Sequence, residues 1–259
     1  MSDDGQVRLE KGDSVATLTF DRPHARNAMT WKMYTEMYDL LDQVDEDPDI
    51  RVVVLRGAGE DAFVAGTDIR QFQEFETGRD GVEYNERVEK PFSRLEAVRA
   101  PTIAVGTGYV VGGGLAIAST CDLRICADDA KFGIPVARTL GNLPSMANLT
   151  RLAALIGPAH AKEMLFTARI WDAQEALAKG LVTEIHPRAD LDARVSELCE
   201  VLVRRAPQTM WGVKETMRRM LQASIPQGED LIEQVYGSED FKEGMAAFIE
   251  KRKPEFKNR

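Results

Sequence analysis

The chain has 259 residues, 44% of them apolar and 29% charged, as expected of a globular protein of one or two domains whose core needs no covalent staples. Its formal charge of −9 argues against a nucleic-acid partner, because phosphate backbones demand clustered Lys and Arg, whereas a small anionic ligand needs only a local basic patch. Cys121, Cys126 and Cys199 form no CxxC pair, so they read as buried free thiols and not as a disulfide framework or a metal site. The polar start, Met1 to Gln6, carries no apolar targeting region, and no apolar run reaches the ~20 residues that span a bilayer. A soluble, cytoplasmic protein with no membrane partner is expected.

Along the chain, Ser14 to Phe20 alternates and is β-branched, which predicts a strand. Thr30 is placed to cap a helix to about Glu46, with Met33, Met37, Leu40, Leu41 and Val44 at helical spacing. Arg51 to Arg56 reads as a buried strand, followed by a glycine-rich loop from Gly57 to Gly66. A helix is expected over Asp80 to Val98, a strand over Thr102 to Val105, a helix from Gly112-Gly113-Gly114 to Thr120, and a strand over Leu123 to Ala127. From about Ser145 nearly every segment has helical periodicity, broken at Gly157-Pro158, Gly180, Pro187, Pro207 and Pro226. The fold class is therefore α/β: an α/β core over residues 1–200 followed by a helical C-terminal region over 201–259.

Two glycine loops carry the chemical signal. FVAGTDI (63–69) follows one strand, and Gly112-Gly113-Gly114 follows another. Small residues let backbone approach a ligand closely, and helix N-termini leave N–H groups unpaired. Two such ends facing each other offer two donors to one oxygen, an arrangement that stabilises an oxyanion or enolate. Either loop alone reads as a tight turn. A rival reading takes GTGYVVG (106–112), with Asp128 20 residues beyond Gly108, as a loosened dinucleotide fingerprint and the chain as a nicotinamide-dependent oxidoreductase, although its last spacing is one residue too long. His24, His160 and His186 have no visible nucleophile partner and form no HExxH motif.

The order of several segments resembles the enoyl-CoA hydratase/isomerase (crotonase) family over nearly the whole chain. These are DRPHARNAMT, GAGEDAFVAGTDI, PTIAVGTGYVVGGGLAIASTCDLRICADDAKFGIP, GNLP, AKEMLFTARIWDAQEALAKGLVTEI and EGMAAFIEKRKPEF. The resemblance implies a ββα-repeat core with a helical trimerisation region, and assembly as a homotrimer or dimer of trimers. It implies an acyl-CoA thioester substrate whose carbonyl is held by the backbone N–H groups of Thr67 and Gly113, with coenzyme A entering only as part of the substrate and no metal. Ala65, Asp68, Ile69 and Arg70 would line the path of the adenosine and pantetheine. Arg26 would approach the phosphates, and Lys251 of the basic tail would reach the coenzyme A of a neighbouring subunit. RNA-binding relatives exist in this family, and the charge of −9 disfavours that role here.

The sequence departs from the family where hydratases carry two glutamates, which hold a water and trade protons with it. Ala116 and Val136 stand at those positions; sliding the second by one residue reaches Ala137, and Arg138 and Thr139 follow. Other candidates are Arg138, Asn142, Ser145 and Asn148, and the lid-like stretch holding Glu74, Glu76, Asp80, Glu83, Tyr84 and Glu86. Arg138 suits a substrate carboxylate. Asp68 reads more naturally as a helix cap, and Asp122 as structural. The expectation is an acyl-CoA-processing enzyme, with a catalytically silent acyl-CoA binder or a thioester decarboxylase or hydrolase as the alternatives.

Overall fold

A computed structural model describes residues 4–257. Its strands are β1 (Gln6–Lys11), β2 (Val15–Asp21), β3 (Val52–Gly57), β4 (Ala62–Ala65), β5 (Thr102–Gly106), β6 (Tyr109–Val111), β7 (Leu123–Ala127), β8 (Lys131–Gly133), β9 (Trp171–Asp172) and β10 (Glu184–His186). The helices are α1 (Trp31–Asp45), α2 (Gly78–Ala97), α3 (Gly113–Thr120), α4 (Met146–Thr167), α5 (Ala173–Ala178), α6 (Arg188–Val203), α7 (Pro207–Ser224), α8 (Glu229–Tyr236) and α9 (Glu239–Ile249). Short 3-10 turns cover Pro23–Ala25, Ile69–Phe72 and Pro135–Arg138.

The strands divide between two sheets, ordered β1-β2-β3-β5-β7-β10 and β4-β6-β8-β9. Consecutive strands β3 and β4, β5 and β6, and β7 and β8 each place one member in each sheet before the chain turns into α2, α3 and α4. This is the ββα repeat the resemblance implied. The central strands pair in parallel, so they are buried on both faces and read as continuous apolar runs such as VVVLRG. Alternation still sorts them. Val53 and Leu55 enter the main core, while Val52 and Val54 pack beneath α6 with Leu191 and Cys199. Fully burying each such side chain stabilises the fold by about 1.5–3 kcal/mol.

The glycine-rich span after β3 holds β4, which correction follows from its apolar AFVA segment pairing with β6. Strand β1 is a polar edge strand with only Val7 buried, so its sequence carries little apolar alternation. The mostly helical second half also contributes two short strands, β9 and β10. Thr30 caps α1, accepting from the Met33 N–H at 3.3 Å. Gly157, at φ 75°, and Pro158 interrupt α4 where the sequence marked a break. Helices α8 and α9 share a cluster of Phe72, Val82, Leu140, Ile232, Tyr236 and Phe241 with α2 and the turn after Thr67, so the C-terminal helices fold back over the segment that leaves β4. Among the described residues, no helix is long and apolar enough to cross a membrane.

Candidate active site

Three glycines at the start of α3 each meet a different physical demand. Gly112 has φ 54°, ψ −123°, a conformation that side chains other than hydrogen rarely adopt. A Cβ on Gly114 would lie 1.9 Å from the Val64 carbonyl oxygen, so only glycine lets α3 seat against β4. A Cβ on Gly113 would lie 3.0 Å from the Tyr34 hydroxyl and 3.1 Å from the Thr67 hydroxyl. The second loop closes on the first from the other side: a Cβ on Gly112 would sit 3.5 Å from Gly66 Cα. Bonds from Met29 N to Gly66 O and from Asp68 N to Met29 O, both 2.9 Å, fix Thr67 between them. Among the described residues, no backbone acceptor is paired with the N–H of Thr67 or of Gly113. The two donors expected from the sequence are thus brought side by side. The intervening β6 also removes the dinucleotide reading, because Gly106 to Gly112 is not one loop between a strand and a helix.

Beside them lies a cavity of about 80 Å³. Ala116 and Val136 line it, together with Asn142, Ser145 and Asn148. Arg138 is exposed and is not part of the lining. Among the described residues, the lining contains no Asp, Glu, His, Lys or Arg. Ser145 caps α4 by accepting from Asn148 N at 3.1 Å. The Asn142 amide donates to the Tyr236 hydroxyl at 3.0 Å, and among the described residues its buried Oδ1 has no partner, nor has the buried hydroxyl of Ser119.

The polar groups nearest the paired amides are hydroxyls. Tyr34 and Thr67 lie 2.7 Å apart, oxygen to oxygen, and Thr67 and Tyr84 3.0 Å apart. Burial, then the neighbouring Tyr84, raises the Tyr34 phenol well above its ordinary value of 10.0, and the bond from Thr67 offsets only part of this. Burial pushes Tyr84 up to about 12. Of the six candidates on the lid-like stretch, only Tyr84 lines the cavity, next to Asn85. Glu74, Glu76, Glu83 and Glu86 are exposed, and Asp80 accepts from the Thr77 and Glu76 N–H groups at the start of α2. Tyr34 escaped the sequence reading because it sits on the buried flank of α1, next to Met33 and Met37, where an aromatic residue reads as core. Its available signal was a phenol at a core position, which needs a partner.

The remaining expected site residues are spread along the approach. Ala65 ends β4. Asp68 caps the 3-10 turn through the Arg70 N–H at 3.1 Å and pairs with buried Arg22 at 2.9 Å and with Arg70 at 2.7 Å. Burial alone would raise the Asp68 carboxyl; its bonds to Arg70 and Arg22 outweigh that and hold it below the usual range. Ile69 packs partly buried against the Phe72 cluster. Exposed Arg26, at φ 51°, stacks on the Tyr109 ring at 4.8 Å, and Lys131 approaches the same ring at 5.2 Å. Lys251 is exposed in the turn after α9 and lies outside the cavity lining. His24, His160 and His186 do not line the cavity either. Asp122 braces the fold, accepting from Thr102 N at 2.7 Å and pairing with Lys214 at 2.7 Å.

The enoyl-CoA hydratase/isomerase family model matches residues 10–259. The short-chain-enoyl-CoA hydratase of Clostridium acetobutylicum is 38% identical over 258 residues, covering 98% of each chain. Among solved structures, a methylmalonyl-CoA decarboxylase in complex with 2-nitronate-propionyl-CoA superposes with a TM-score of 0.90 at 27% identity, covering 98% of both chains. An enoyl-CoA hydratase/carnithine racemase from Magnetospirillum magneticum gives 0.80 at 32% identity, covering 98% of this chain and 96% of its own. With a family match spanning nearly its full length and the two glycine loops packed against each other, this chain belongs to the enoyl-CoA hydratase/isomerase family, a family of acyl-CoA-processing proteins.

Proposed function

We propose that the protein is an acyl-CoA-processing enzyme that holds the thioester carbonyl on the N–H groups of Thr67 and Gly113 and stabilises an enolate or oxyanion there. The observation that carries this reading is the juxtaposition of these two amides, neither paired with a backbone acceptor among the described residues, beside a small cavity lined by no charged side chain among them. Fixed donors aimed at a developing negative charge are worth about 2.7–4 kcal/mol each in a site that excludes water. The pantetheine and adenosine run past Ala65, Asp68, Ile69 and Arg70. Arg26, beside Lys131, supplies positive charge for the phosphates, and Lys251 serves the coenzyme A of a neighbouring subunit. No cofactor other than the coenzyme A of the substrate is needed. The assembly is a homotrimer or dimer of trimers, and exposed Trp211, Val213, Met217 and Met220 on α7 supply an apolar face for it.

The reaction itself is read from what lines the cavity. Hydration by a carboxylate pair finds no carboxylate there. Buried phenols with raised pKa values stay protonated near neutral pH and donate hydrogen bonds; they do not abstract protons. A reaction that makes the enolate without a base fits best, and loss of CO₂ from a 2-carboxyacyl thioester is one. The similarity in fold to a methylmalonyl-CoA decarboxylase favours this second, narrower reading.

A panel of crotonyl-, 3-hydroxybutyryl-, methylmalonyl- and aromatic acyl-CoA thioesters tests both readings by thermal stabilisation and turnover. Ligand at about 100 times its dissociation constant adds roughly 2.7 kcal/mol to stability. Turnover of methylmalonyl-CoA but not of crotonyl-CoA is expected. Turnover of crotonyl-CoA would overturn the decarboxylation reading. Stabilisation with no turnover would mark a silent acyl-CoA binder, and no stabilisation by any thioester would overturn the acyl-CoA reading.

A further inference from the structure

Three hydroxyls stand in line beside the bare face of Gly113. Tyr34 Oη, Thr67 Oγ1 and Tyr84 Oη are linked by contacts of 2.7 and 3.0 Å, and both Tyr34 Oη and Thr67 Oγ1 come within 3.1 Å of a Cβ placed on Gly113. Each hydroxyl carries one hydrogen, so three hydrogens serve two links. One hydrogen is always left over. It points outward from Tyr34 when both links run from Tyr84 through Thr67, and outward from Tyr84 when both are reversed. The chain is therefore able to pass a proton along its length by reorienting, without any member being ionised at rest. Both tyrosines line the cavity, and no other titratable side chain among the described residues lines it apart from Tyr236, whose hydroxyl accepts from Asn142.

We propose that Tyr34, Thr67 and Tyr84 form a hydroxyl relay that delivers a proton to the α-carbon of the thioester enolate held by the Thr67 and Gly113 amides. The inference rests on the acyl-CoA reading above and names the proton donor that reading lacks. In the decarboxylation form, the Cα–carboxylate bond breaks, CO₂ leaves, and the bonding pair stays on the thioester as an enolate. Tyr34 O–H then gives its proton to Cα, and the enolate collapses to a C–H bond and a carbonyl. Thr67 O–H reprotonates Tyr34, Tyr84 O–H reprotonates Thr67, and solvent restores Tyr84. Thr67 thus acts twice, through its N–H on the carbonyl oxygen and through its hydroxyl in the relay. A methyl group on Gly113 would crowd the two hydroxyls, at 3.0 and 3.1 Å.

The test runs methylmalonyl-CoA in D₂O with wild type, Tyr34→Phe, Thr67→Val and Tyr84→Phe, following kcat, KM and the stereochemistry of deuterium at Cα by NMR. Thr67→Val keeps the backbone N–H and removes only the hydroxyl. The expected result is a fall in kcat of about 10²- to 10⁴-fold for Tyr34→Phe, the range for loss of a positioned general acid. Thr67→Val is expected to fall less, KM to stay within about threefold, and deuterium to enter Cα on both faces once Tyr34 is gone. Wild-type kcat and single-face deuteration in Tyr34→Phe and Thr67→Val would overturn the relay while leaving the acyl-CoA reading intact. A wild type that binds thioesters yet delivers no solvent deuterium to Cα would overturn the relay as well. A wild type that binds no thioester would overturn the underlying reading first. Circular dichroism and thioester binding by each variant separate a lost relay from a lost fold.

Discussion

At the scale of single residues, glycines hold the two loops of the site in contact. Gly113→Ala keeps its N–H but would place a methyl group 3.0 Å from Tyr34 Oη and 3.1 Å from Thr67 Oγ1, crowding the groups beside the donor amide. A loss of turnover is expected, at most the roughly 10²- to 10³-fold that follows loss of one oxyanion donor, with the melting temperature little changed. Gly114→Ala acts differently, because its methyl would lie 1.9 Å from the Val64 carbonyl oxygen. Here stability should fall, by about 1–3 kcal/mol from overpacking, as read by urea titration. Asp68 gives a pH-dependent test. Its folded-state pKa is depressed, so its contribution is fully present above the ordinary value near 3.8 and is lost as pH falls through the lower folded value. The melting temperature of wild type minus that of Asp68→Asn should be constant from about pH 5 upward and shrink towards pH 3. The sequence exposed the two glycine loops, and the family resemblance pointed within them to Thr67 and Gly113, which pack together in the fold. The sequence could not expose the Tyr34–Thr67–Tyr84 line, whose members lie 33 and 17 residues apart and meet only when α1 and α2 pack.

At the scale of elements, α2 and α4 are locked behind the cavity by Arg151. Its guanidinium is 3% exposed as a residue and pairs with Glu89 at 2.5 Å and Glu96 at 3.1 Å. Removing one partner of a buried pair leaves the other charges uncompensated, so Arg151→Ala should destabilise by about 3–5 kcal/mol. Because Asn148 and Leu152 line the cavity on either side of Arg151, thioester binding should weaken with it, and calorimetric titration reads both effects. Helix α1 was legible from its apolar spacing, and β3 from its continuous apolar run. Strands β4 and β9, of four and two residues, were not, because so short a run has no period of its own and is fixed by its neighbours in the second sheet.

At the scale of the whole molecule, an acidic chain leaves an apolar stripe on α7 uncovered, with Met217 66% and Met220 68% exposed. A homotrimer or dimer of trimers is expected in solution by light scattering, and Met217→Glu should shift it towards monomer. The interior should be chemically quiet. Burial pushes Cys121 and Cys126 up to about 12 and also raises Cys199, so none forms a thiolate readily. Labelling of the native protein by a thiol reagent at neutral pH should be slow, and fast only after unfolding.

The claim on which all of this stands is that the Thr67 and Gly113 amides grip a thioester carbonyl. Isotope-edited infrared spectroscopy of an acyl-CoA carrying ¹³C at that carbonyl tests it directly. The stretching band is expected to move to lower frequency when the thioester binds, and to move back towards its free position in Gly113→Ala. A thioester that binds with its carbonyl band unshifted would contradict it.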